Sequence, residues 1–118
     1  MEPDDFLRAR IPGYAGLSDA QGRRLADEQV RAYVGERLAA LRDGSALPES
    51  DQTRLERLML RAQFANQQAF HGFDAIAGAD QIETVTRLDA DLIAAAEDGN
   101  LEALEETFDR RDEAMQKK

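Results

Sequence analysis

The chain has 118 residues, enough for one hydrophobic core without disulfide or metal staples. Its 42% hydrophobic and 33% charged residues describe a globular rather than a disordered protein. The lack of cysteine excludes disulfides, thiolate chemistry and Cys-based metal sites. A net charge of −9 argues against nucleic acid as a partner, because that affinity rests on Lys and Arg contacts to phosphate. The acidity is uneven: residues 1–73 hold 11 acids and 10 bases, residues 74–118 hold 13 acids and 5 bases. No apolar run is long enough to span a bilayer, and Met1-Glu2-Pro3-Asp4-Asp5 lacks the basic and apolar regions of a secretory signal. A cytoplasmic protein with no membrane partner is the expectation.

Residues 1–17 read as an extended apolar arm with at most a short turn near Phe6. Ile11-Pro12-Gly13-Tyr14 puts Pro and Gly at the two central positions of a type II turn. Phe6, Leu7, Ile11, Tyr14 and Leu17 would each gain about 1.5–3 kcal/mol from burial, so the arm should pack on the rest of the chain. The first long helix is expected over 18–43, with Ser18 and Gln21 as a capping box. Its stripe is Leu25, Val30, Tyr33, Val34, Leu38 and Leu41, and an Asp27–Arg31 pair lies outside it. Asp43-Gly44 stops it, and Pro48 marks the connection.

A second helix is expected over 50–71. Leu55, Leu58, Ala62, Ala65 and Ala69 form one stripe, whereas Leu60 and Phe64 fall on another face. Two apolar faces call for two covers, and the N-terminal arm is the natural candidate for the second. Between Ala62 and Phe73 the polar residues are only Gln63, Asn66, Gln67, Gln68 and His71, a composition that suits an interface core as well as a buried helix end. A third helix over 80–98 opens on an Asp80/Glu83 capping box and carries Ile82, Val85, Leu88, Leu92, Ile93 and Ala96. Gly99 ends it and Asn100 caps a fourth over 100–115, which carries Leu101, Leu104, Phe108 and Met115.

The residues that chemistry needs are scarce. His71 is the one histidine, Asp74 could orient its ring, and no nucleophile stands near. A di-iron bundle needs two Glu-x-x-His pairs. The acids at 89–91 and 102–109 lack calcium-loop spacing, and no Gly-rich phosphate loop occurs. Small helical enzymes that act on anions need buried cations, and none of the arginines reads as lying on a core stripe. The expectation is therefore no catalytic residue, no metal and no cofactor, with a small enzyme or metal-binding bundle around His71 as the remote alternative.

Two stretches resemble known groups. Ile11-Pro12-Gly13-Tyr14-x-Gly16, followed by Arg23-Arg24-x-x-Asp27-x-x-Val30-Arg31-x-Tyr33, is similar to the opening of a group of uncharacterised prokaryotic helical proteins. That likeness implies a helical fold and a network of Arg23, Arg24, Asp27 and Arg31 tying the arm to the first helix. The stretch from Leu92 to Leu104, with Arg110-Arg111-Asp112, resembles the helix-turn-helix unit of flagellar type III export chaperones, small acidic binders of secreted proteins.

The sequence thus predicts an all-α, up-and-down bundle of three to four helices over 18–118, with the arm of 1–17 packed on it. Val30, Val34, Leu38, Leu55, Leu58, Ala62, Ala65, Val85, Leu88 and Leu92 should form its core. The function expected is a noncatalytic protein-interaction module, self-association included, with Leu60, Phe64, Gln63, Gln67, Gln68 and His71 as contact residues. The alternative is an export-type chaperone or adaptor that binds its client through the C-terminal hairpin.

Overall fold

A computed structural model describes residues 2–44, 47–64 and 78–116. Its elements, in order, are α1 (Pro3–Arg10), α2 (Ala20–Gly44), α3 (Glu49–Gln63), α4 (Ala79–Asp98) and α5 (Leu101–Gln116). The fold is all-α, with no strand among the described residues. The four long helices alternate in direction along the chain. Arg31 meets Ala62 and Gln63 while Arg42 meets Met59, so α2 and α3 are antiparallel. Arg54 meets Glu105 and Arg61 meets Asp109 and Asp112, which makes α3 and α5 parallel neighbours. The helix pairs in contact are α2 with α3 and α4, and α5 with α3 and α4, leaving α2–α5 and α3–α4 as the diagonals. Two antiparallel hairpins therefore lie side by side, each helix beside one running its own way.

Core membership follows the predicted stripes: Val30, Val34, Leu38, Leu55, Leu58, Ala62, Val85 and Leu92 are buried and Leu88 partly so. Ala65 lies outside the described residues. Leu25, assigned to the first stripe, is instead exposed, because it sits about 220° round the helix from Leu38 and away from the core. The α4–α5 connection has the expected chemistry. Gly99 adopts φ 69°, and the N–H groups of Gly99 and Asn100 donate to the carbonyls of Ala96 and Ala95, a Schellman stop. Asn100 Oδ1 then accepts from the Ala103 N–H at 3.1 Å as the N-cap of α5.

Four local expectations fail. Residues Pro3–Arg10 form a helix, not a turn: Pro3 begins it, Asp4 and Asp5 occupy its first turn and Arg8 and Arg10 its last. The N-cap of α2 is Asp19, whose Oδ1 accepts from the Gln21 N–H at 3.2 Å, so no Ser18 box forms. Gly78 precedes α4 without a side-chain cap, so the Asp80/Glu83 box is also absent. The second helix ends at Gln63, where Phe64 turns to extended backbone (φ −115°, ψ 115°), short of the predicted 71.

The N-terminal segment lies on α4, not on the second face of α3. Leu7, Ile11, Tyr14 and Leu17 are buried, and Arg10 reaches Glu97 at 3.0 Å. The type II turn forms as the residues dictate: Gly13 has φ 76° and the Tyr14 N–H donates to the Ile11 carbonyl at 3.1 Å. Gln29 of α2 grips the turn from the side. Its Nε2 donates to the Gly13 carbonyl and its Oε1 accepts from the Ala15 N–H, both at 2.9 Å.

Candidate interaction surface

A chain of charges runs through the bundle and reaches the C-terminus of α3. Arg111 of α5 is only 4% exposed. Its Nε donates to Asp89 Oδ1 of α4 at 2.5 Å, and a terminal nitrogen donates across the diagonal to Asp27 Oδ1 of α2 at 2.6 Å. Asp27 Oδ2 in turn accepts from Arg31 Nε at 3.0 Å. The far side of Arg31 donates to the carbonyls of Ala62 and Gln63, both at 3.1 Å. A cation at those carbonyls matches the negative end of the helix dipole, so Arg31 closes the C-terminus of α3.

This cluster corrects two readings of the sequence. Arg111 does lie on a core stripe, because Leu104, Phe108, Arg111 and Met115 recur at steps of four, three and four. The Asp27–Arg31 pair is not an outer pair either, since Asp27 is buried and Arg31 nearly so. Of the network implied for the arm, Asp27 ties α2 to α5 instead, while Arg23 does reach the arm by donating to the Leu17 carbonyl at 2.8 Å. Asp89 was equally legible: Val85, Asp89, Leu92 and Ala96 share one spacing. One Arg and two Asp on facing stripes carry opposite charges, and that sign match was the signal available.

The electrostatics are those of a dry site. Full burial pushes the Asp89 carboxyl up, against the pull of Arg111. Arg111, flanked by two carboxylates, is held charged, its pKa moved up despite burial. Burial foremost, and the Asp89 charge next, push the Tyr14 hydroxyl up. Tyr14 Oη and Asp89 Oδ2 are both buried with no hydrogen-bond partner among the described residues.

The outer face of α3 shows the opposite character. Leu55, Leu58 and Ala62 point inward, and Leu60 sits about 200° round the helix from Leu58. Leu60 is 56% exposed and Phe64, one turn further on, is 65% exposed. Gln63 between them is also exposed. The expectation that the arm would cover this face is overturned, because α1 and its turn are occupied on α4. Gln67, Gln68 and His71 lie outside the described residues. Leu25 stands among exposed Gln21, Arg24 and Glu28 on its own helix, an isolated apolar side chain of an ordinary kind.

Other surfaces offer less. A groove of about 300 Å³ between the N-terminal segment and α4 contains Arg8 and Arg87, but Asp4 and Glu83 already pair with them. On α5, Glu105, Asp109 and Asp112 meet Arg54 and Arg61. No three His, Asp or Glu side chains among the described residues converge as a metal site requires. No helix among them is long and apolar enough to cross a membrane. Comparisons of the chain with protein-family models, curated proteins and solved structures find no match.

Proposed function

We propose that this chain is a noncatalytic helical interaction module that binds protein through the outer face of α3. The observation that carries the reading is the exposed pair of Leu60 and Phe64, the latter the C-cap residue one turn beyond, at the end of a helix whose other apolar side chains are turned into the bundle. Burial of each against a partner contributes about 1.5–3 kcal/mol. Their scaffold is fixed: Arg31 closes the end of α3, and the Arg61 guanidinium lies 4.9 Å over the Phe108 ring. A rigid helix presents anchors at little entropic cost.

Client capture by the C-terminal hairpin has less to recommend it. Leu101, Leu104, Phe108 and Met115 of α5 are consumed in the chain's own core, and Arg111 neutralises Asp27 and Asp89. Removal of 100–118 would strand both carboxylates and unfold the bundle, so a deletion could not separate binding from folding.

The reading is tested with the Leu60→Asp, Phe64→Asp double variant, using affinity capture from native lysate and sedimentation velocity. The expected result is a fold unchanged by circular dichroism together with loss of the captured proteins or of self-association. A folded variant that keeps the same captured proteins and the same oligomeric state overturns it.

A further inference from the structure

The charges beside Leu60 and Phe64 define what this face would take. Residues 52–64 contain Arg54, Arg57 and Arg61 against the single acid Glu56, in a chain whose net charge is −9. Arg57, Leu60 and Arg61 follow one another at i, i+3 and i+4 on α3, Arg61 turning toward α5, and the C-cap residue Phe64 comes one turn beyond Leu60. Arg57 is exposed and makes no ion pair among the described residues. Arg54 Nε lies 2.6 Å from Glu105 Oε1, without the alignment of a hydrogen bond, and both side chains are nearly half exposed. Along this edge runs a groove of about 320 Å³, lined in part by Ser50, Thr53, Arg54, Arg57 and Arg61, with Glu105 as its one acid. The face thus offers Leu60 and Phe64 at its C-terminal end and the exposed Arg57 at its middle, while Arg61 is held by Asp109 and Asp112.

From this arrangement we infer that the partner segment is an acidic amphipathic helix, seated along α3 with its apolar stripe on Leu60 and Phe64 and its carboxylates toward Arg57 and Arg54. The inference rests on the reading of α3 as the binding face and adds the chemistry of the partner. Helix-on-helix recognition uses anchors at i, i+3, i+4 and i+7. Charge selects among such helices: a basic helix would bring like charges together at Arg57. A second copy seated on the same face is disfavoured as the occupant, since an isologous pairing of this face would match arginines with arginines.

The test uses the full chain and two synthetic helical peptides of identical leucine stripe, one flanked by glutamates and the other by lysines, followed by fluorescence anisotropy. The glutamate peptide should bind and weaken as salt is raised, and the lysine peptide should not bind. Arg57→Glu should weaken glutamate-peptide binding about tenfold, and Leu60→Asp with Phe64→Asp should abolish it. Equal binding of both peptides, or indifference to Arg57→Glu, overturns the charge assignment and leaves α3 as the binding face. No binding of either peptide, with self-association that Leu60→Asp and Phe64→Asp remove, makes the second copy the occupant and likewise overturns the inference alone. Peptide binding untouched by Leu60→Asp and Phe64→Asp overturns the inference and the binding face together.

Discussion

The bundle buries one cluster of charges in an otherwise apolar core, whereas the outer face of α3 exposes two large apolar side chains among polar ones. Arg111, Asp27, Asp89 and Arg31 account for one another almost completely: each cation lies between acceptors and each carboxylate accepts from a guanidinium. Leu60 and Phe64 have no such partners. A buried ion cluster of this kind is weak evidence for stability, since its desolvation offsets much of its attraction. Its visible consequence is positional, because it links α2, α4 and α5 directly and α3 through the Arg31 cap. The contrast teaches where each region looks for its complement. The interior finds it within the chain, whereas Leu60 and Phe64 remain exposed among the described residues.

Four variants put that contrast to the test. Arg111→Met should have the largest effect, about 3–5 kcal/mol of destabilisation, because it leaves Asp89 buried without a cation; a urea midpoint close to that of the unaltered chain would deny the cluster its role. Arg31→Ala removes donors to the α3 carbonyls and to Asp27, and a loss of about 1.5–3 kcal/mol is expected in the same measurement. Tyr14→Phe should be nearly neutral at pH 7, since the hydroxyl it removes is buried with no hydrogen-bond partner among the described residues. At alkaline pH the two proteins should diverge. The Tyr14 hydroxyl holds its proton above the ordinary value of 10.0, so the folded state binds more protons than the unfolded one. That stability is complete below pH 10.0 and is lost as pH rises toward the folded-state value, and Tyr14→Phe removes this part of the decline. Leu60→Asp with Phe64→Asp should shift the midpoint least, within about 0.5 kcal/mol, as exposed sites do.

The parts of this picture that are local in origin were legible in the sequence. Gly99 and Asn100 announce a helix stop and a cap because only a few residue types satisfy those geometries. Pro12-Gly13 announces its turn for the same reason. The inward stripes of α2, α3 and α4 follow from helical periodicity. The helix at Pro3–Arg10 was written in its leading proline, early acids and late arginines, but eight residues carry too little periodicity to stand out. The choice of Asp19 over Ser18 as cap depends on where the arm leaves the bundle, which no local pattern specifies. Arg111 and Asp89 escaped because a stripe read only for apolar residues passes over charged members, and their pairing joins positions 22 residues apart on different helices. Leu60 and Phe64 were visible as a second apolar face. Which element would cover that face was a tertiary question, and the arm went to α4.

The central claim, that the outer face of α3 receives the partner, is tested most directly by site-specific photo-crosslinking. A photoreactive residue is placed at position 60 or 64, and in separate proteins at exposed positions 102 or 106 on α5, each protein being irradiated in native lysate. The account predicts partner adducts from positions 60 and 64 and none from 102 and 106. Adducts from 102 and 106 with none from 60 and 64 would contradict it and move the binding surface to the C-terminal hairpin.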